Sequence, residues 1–360
     1  MPVDKTGGRA YMDEAHHGGH VPVLSGSFPV RRYSVVGTLD APFWERIQEG
    51  LTVNAFSEPP NPSWAGTRTG TVTVDNLLVT DFADRNWLAD PYVFASLRID
   101  TKSPSAAVVR AETDRRVSAW RSEHKAAHVP RDVRKQLKDQ ATEDVLAKTS
   151  ARTKVVDFVW NTKDNWVTLG HLSDGVADHF TRTFRAAFGL GLENWSPFGQ
   201  EVPAEMPGDF YLWLWWQIEN GEDLGVDAVW IDGKIVLKGR GSETTVTGDQ
   251  VEKMPEPRSA VLNGKRPTML KLKVGLEELE YAFTLSGPDL HISSLRLPEA
   301  EAGRSGRIDR EANILDRLGA YERLHDLLAG WAKTFGGFYN TKAYHEWVTA
   351  ELTPWLNPKE

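Results

Sequence analysis

The run FYLWLWWQI, from Phe210 to Ile218, sets the strongest constraint on how this chain folds. Nine residues fall far short of the roughly 20 apolar residues that a membrane-crossing helix needs. The run must therefore be buried in protein, and its tryptophans, three of the 14 in the chain, belong to a large core. Periodicity alone does not separate helix from strand in so uniform a segment. Asp209 at its start and Asn220 with Gly221 at its end predict a helix. The chain has the material for such a core: 360 residues, 40% hydrophobic and 26% charged, suit one large or two to three modest domains. It contains no cysteine, which excludes a disulfide framework and any thiolate metal site. Acids and histidines stand at the N-terminus where a signal peptide would be basic and then apolar, so the expectation is an unanchored cytoplasmic protein.

Net charge is −8, which at first argues against a nucleic-acid partner. The charge is nonetheless segregated. Arg98 to Lys154 holds 14 basic and 8 acidic residues, a local balance of +6 that leaves −14 for the rest. A weaker basic excess, 9 against 5, runs from Asp232 to Lys273.

Residues 1–26, rich in Gly and His without apolar periodicity, read as a mobile tail, and the His16, His17, His20 cluster in it as an accident of composition rather than a metal site. From Phe28 onward a strand is expected at VRRYSVVGTL, then a short helix capped by Asp40, and another strand over Tyr92–Ile99. Ser103 and Pro104 predict a helix start, with Val109, Thr113, Val117 and Trp120 on one face and an end near Lys125. A second helix begins beside Pro130. At 100° per residue, Val133, Leu137 and Ala141 form its apolar stripe, while Arg131, Arg134, Lys135 and Lys138 make a basic ridge alongside. Asp132, Asp139 and Glu143 fall on another side, with Lys135 and Asp139 spaced to pair. VVDFVW and WVTLGHL predict a β-hairpin, followed by an amphipathic helix through Val176, Phe180, Phe184 and Ala187. VDAVWI and KIVLKGR flank Asp232-Gly233, a dipeptide suited to a tight hairpin turn. Strands are expected at MLKLKV, LEYAFTL and LHISSLRL, and a helix from Ile308 to Thr334 with Ile314, Leu318, Tyr321, Leu324, Leu328 and Trp331 inward. Blocks of helix and strand, rather than strict alternation, indicate α+β.

Catalytic signatures are absent from the sequence. Gly233-Lys234 and Gly264-Lys265 lack the rest of a phosphate-binding loop, His345-Glu346 lacks the second histidine of a zinc helix, and there is no nucleophile elbow. One enzymatic alternative is a Mg-dependent nuclease in which Asp209 and Asp232 hold the metal and Lys234 steadies the water. Asp232-Gly233 is equally explained as a turn. A third class is a protein-interaction module with tryptophan-rich contact surfaces.

Several stretches, in order, resemble the RdgC family of bacterial recombination-associated proteins: TKSPSAAVV from Thr101, RKQLKDQATEDVL from Arg134, the ungapped FVWNTKDNWVTLGHLSDGVADHFTRTFRAAFG from Phe158, LGVDAVWIDGKIVLKGR from Leu224, and IDREANILDRLGAYERLHDLLAGWAKTFGG from Ile308. The resemblance divides the chain into a tail at 1–26, a body at 27–337 with a helical, basic subregion at 103–150, and an extension at 338–360. It implies a horseshoe-shaped α+β protomer of antiparallel sheets and helices, two of which close into a ring around duplex DNA with little sequence preference. It implies no catalysis and no cofactor, a nucleoid-associated location, and modulation of recombination and replication by limiting the recombinase's access to DNA. Lys102, Arg131, Arg134, Lys135, Lys138, Lys238 and Arg240 become the expected phosphate contacts. LAKTSARTK, residues 146–154, lacks the proline and phenylalanine that the family carries before the hairpin.

Overall fold

The computed structural model describes residues 27–199, 201–239, 241–297 and 310–357. The expected tail and its histidines lie outside them. In chain order the elements are β1 (Ser27–Val36), α1 (Phe43–Val53), β2 (Gly66–Val72), β3 (Leu88–Ala89), β4 (Tyr92–Lys102), α2 (Ala106–Glu123), α3 (Arg131–Lys148), β5 (Arg152–Asn161), β6 (Trp166–Leu169), α4 (Asp174–Phe188), β7 (Gly191–Asn194) and α5 (Met206–Asn220). After these come β8 (Ala228–Gly239), β9 (Ser242–Thr247), α6 (Pro255–Leu262), β10 (Arg266–Leu276), β11 (Leu279–Ser286), β12 (His291–Arg296), α7 (Arg310–Phe338), α8 (Lys342–Trp347) and α9 (Thr353–Leu356). The architecture is α+β, as the blocks of helix and strand predict.

The main strands run in the order β2-β4-β5-β6-β1-β12-β11-β10-β8-β9, every pair antiparallel. β1 is the link. Its first residues pair with β12, whereas Arg31–Ser34 pair with β6, so one strand joins two half-sheets. On one side α1 and α4 cover the β4-β5-β6 half through Phe180, Phe184 and Phe188, whose rings meet Phe158 and Trp160 at centroid distances of 5.1–5.3 Å. The approach is close enough that a Cβ on Gly50 of α1 would sit 2.3 Å from the Ala187 carbonyl oxygen of α4. A larger core gathers α5 and α7 over the β8-β10-β11-β12 half.

The tryptophan run is a helix. Trp213, Trp215 and Trp216 are buried, and Gly221 ends the helix in the left-handed conformation at φ 69° that glycine adopts without strain. The inward residues expected of the last long helix, Ile314 through Trp331, are buried on α7. The extension after Gly337 folds back onto α5: Trp347 meets Trp216 and Trp355 meets Trp215 edge to face, and the Arg258 guanidinium lies 4.7 Å from the Trp355 ring.

Some local expectations are corrected. Asp40 does not cap α1, because Pro42 holds the N-cap position. Ser103 does not cap α2 either. The helix starts two residues later than expected, with Ser105 at the cap and no side-chain bond to it. Asp232-Gly233 is not a hairpin turn. β8 runs straight through it, and the register against β10 passes from Ile231↔Leu272 to Ile235↔Leu270, so that Asp232, Gly233 and Lys234 bulge opposite Lys271. Gly233 still takes a positive φ, 71°, but the bulge uses it in place of a turn. Long-range pairing on both flanks of β8 outweighed the local turn preference.

The larger core also holds a buried histidine. His325 on α7 packs 4.5 Å from Trp195, and neither ring nitrogen makes a hydrogen bond. Burial, with the Arg32 charge beside it, pulls its pKa down to about 2. The unfolded chain therefore takes up a proton below about pH 6.5 that the folded chain refuses. Stability is complete above that pH and is lost as the pH falls through the window toward 2, by up to about 1.4 kcal/mol per pH unit. Urea denaturation at pH 7 and pH 5 should show this loss, and His325→Leu should reduce it. An identical pH response in the variant would count against His325 as its source.

Candidate nucleic-acid interface

The basic segment is built on a helical hairpin inserted between β4 and β5. α2 and α3 pack principally on each other, burying Val109, Thr113, Ala141 and Leu146. The contact is held by a charge network in which Arg116 reaches Glu112, Gln140 and Asp144. Hydrogen bonds from Arg115 and Arg116 pull the Glu112 carboxyl down to about 2, so it stays ionised and neutralises them. Lys135 and Asp139, spaced for an ion pair, do not form one among the described bridges.

The ridge is in place. Arg131, Arg134, Lys135 and Lys138 are all exposed on the first two turns of α3, and none makes an ion pair among the described residues. They line a cleft of about 870 Å³ between the helices, whose other wall is Ala106, Ala107, Val109, Arg110, Thr113 and Asp114 of α2. Arg110 is a cation that the sequence reading missed. It sits one turn before Asp114 on the α2 face that meets the ridge, so placing α2 and α3 antiparallel on one helical net would have found it. Five cations thus stand against one acid. From Arg131 to Lys138 the helix rises about 10 Å, a length over which a duplex carries roughly six negative charges.

The remaining expected contacts are placed elsewhere. Lys102 is buried, with Nζ donating to the Pro62 carbonyl at 2.6 Å and lying 5.6 Å from the Trp64 ring. It is withdrawn from the surface and braces the loop before β2. Arg98 in the same segment is likewise consumed by the buried Asp100, which it binds through two bonds of 3.0 and 2.7 Å. Lys238 is exposed but pairs with Glu243 of β9 at 3.0 Å. It does not join the cleft, because β8 lies seven strands from β4 in the sheet order, about 34 Å along an unrolled sheet. Arg240 lies outside the described residues.

The nuclease alternative is not assembled. Asp209 sits on α5, which covers one sheet face, and its two carboxylate oxygens accept from Arg266 Nε at 2.7 Å and the Tyr344 hydroxyl at 3.1 Å. Asp232 binds Lys271 at 2.5 Å. Lys271 and Lys273 alternate along β10 with the core residues Leu270, Leu272 and Val274, so Asp232 belongs to the opposite face. Lys234 is half-buried opposite Thr247. Among the described residues no group of three His, Asp or Glu side chains is arranged to hold a metal, and no helix is long and apolar enough to cross a membrane.

Comparison with known proteins falls on the same region. Residues 88–203 match the family model described as "Putative exonuclease, RdgC", a stretch that opens at β3, contains the whole α2–α3 hairpin and ends after β7. The recombination-associated proteins RdgC of Neisseria meningitidis serogroup C and of Neisseria gonorrhoeae are each 25% identical to this chain over 226 residues, covering 61% of it and 70% of the relative. These relatives carry the name of a recombination-associated protein, whereas the family description carries that of an exonuclease. Both comparisons point the same way: this chain is similar to the RdgC recombination-associated proteins.

Proposed function

We propose that this protein binds duplex DNA through its phosphates, with little preference for base sequence and without catalysing a reaction on it. The observation that carries the reading is the α2–α3 cleft, where the exposed Arg110, Arg131, Arg134, Lys135 and Lys138 outnumber the one acid, Asp114, inside the segment that matches the RdgC model. Exposed cations on a regular helix address a regularly charged partner. As in the arrangement implied by the resemblance, two protomers would close around the duplex and limit a recombinase's access to it.

The test is binding of two unrelated duplexes and a matching single strand over a salt series, with and without Mg²⁺, with mass measured in solution. Equal affinity for both duplexes is expected, with log K falling against log salt by about 0.9 per phosphate contacted, hence a slope near −4 to −5 per protomer. A dimeric mass and intact DNA complete the expectation. Cleaved product in the Mg²⁺ arm would overturn the non-catalytic reading, and no retention of duplex at low salt would overturn the reading as a whole.

A further inference from the structure

A second cationic groove lies at the other end of the hairpin, where the chain leaves α3 and enters β5. Arg152 and Lys154, the first and third residues of β5, are both exposed, and they pair in register with Thr101 and Ile99 of β4. Strand alternation puts them on the face that continues through the buried Val156 and Phe158 beneath α4. The helix begins at Asp174, with Ser173 at its N-cap, so its buried side does not reach the strand ends. The result is a groove of about 380 Å³ lined by Thr101, Arg152, Lys154, Ser173 and His179 among others.

Hydrogen bonding at the rim of this groove, where His171 meets the lining residues Lys154 and Ser173, is incomplete in a particular way. The Ser173 backbone N–H donates to His171 Nδ1 at 3.0 Å. Nδ1 can accept only if the ring is neutral with its proton on Nε2. The pKa of His171 is lowered, by burial and then by the Lys154 charge, in keeping with a neutral ring. Nε2–H then faces the Lys154 ammonium at 3.4 Å. Two donors are opposed with no acceptor between them. Among the described residues Arg152 and Lys154 make no ion pair, and the nearby Asp174 is bonded to Arg31. An oxyanion bound here would accept from the Lys154 ammonium and the imidazole N–H, and Arg152, two residues before Lys154 on the same strand face, lines the same groove.

We infer that this groove is a phosphate-binding site, separate from the α2–α3 cleft, with Arg152, Lys154 and His171 Nε2–H as its donors. It does not rest on the reading of that cleft. A phosphate monoester at a DNA end and a phosphodiester within the strand share this chemistry. The two sources are separable with the full chain and three probes: inorganic phosphate, a short duplex with 5′-phosphates, and the same duplex with 5′-hydroxyls. The ¹⁵N resonance of His171 Nε2 should move on addition of phosphate-bearing probe. It should not move in Arg152→Gln/Lys154→Gln, which alters only exposed side chains, and should still move in a variant lacking the α3 ridge. Charge-assisted bonds lost in the double variant should weaken the site for its preferred probe by about tenfold or more. A response confined to the 5′-phosphorylated duplex and free phosphate identifies an end-binding site. An equal response to both duplexes identifies a backbone contact. A His171 resonance unmoved by all three probes, or moved equally in the double variant, overturns the proposal.

Discussion

Replacing Arg131, Arg134, Lys135 and Lys138 together by glutamine is expected to lower affinity for every duplex alike, by about a thousandfold near 0.1 M salt, and to flatten the salt slope by roughly 3–4. The size follows from counterion release, since each contacted phosphate contributes about 0.9 to the slope and therefore close to a decade of affinity at that salt concentration. The fold should not suffer. All four side chains are exposed, they make no ion pairs among the described residues, and the α2–α3 contact is carried by Val109, Thr113, Ala141, Leu146 and the Arg116 network on other faces. Arg110→Gln should add a further, smaller loss of the same kind. Titration of native and variant proteins with a labelled duplex over a salt series measures both quantities. A slope left unchanged would remove the ridge from the interface.

Trp215→Ala should give the largest loss of stability, about 3–5 kcal/mol, by leaving a tryptophan-sized cavity in the main core. Trp215 is fully buried on α5, packs edge to face against Trp355 and donates from its indole N–H to the Glu252 carbonyl at 3.3 Å. Trp355→Ala should cost less, because that ring is only half-buried and meets Trp215 edge to face at the margin of the same cluster. Both are read from urea midpoints, with the slope of the transition checked for a change in cooperativity. A loss under about 1 kcal/mol in Trp215→Ala would mean that α5 is not the centre of the core. Because the extension beyond Gly337 supplies Trp347 and Trp355 to this cluster, its removal should expose α5 and lower solubility as well as stability.

Elements whose pattern is strong over many residues could be read directly from the chain. The period of α7, the amphipathic spacing of α4 and the hairpin of β5 and β6 each follow from burying one face, and the same arithmetic placed the ridge on α3. The errors lie where short-range chemistry was asked to decide a long-range question. Asp232-Gly233 carries a good turn signal, yet β8 crosses it because β9 and β10 pair with both flanks and the misfit is absorbed in a bulge. Lys102 and Arg98 count as surface charge in any tally along the sequence. In the fold they are spent on a carbonyl and a buried carboxylate. Arg110 went unnoticed for the converse reason: its neighbours in sequence are neutral, and its charged neighbours belong to the next helix.

Sequence by itself determined the α+β class, the burial of the tryptophan helix, the basic ridge after Pro130 and the likeness to RdgC proteins, since each depends on residue type at regular spacing along one element. Tertiary structure alone decided which cations remain available. It withdrew Lys102 and Arg98, added Arg110, set Lys238 at the far side of the sheet order and opposed two donors at His171 and Lys154. Availability of a charge depends on what stands across from it, and that neighbour comes from a distant part of the chain.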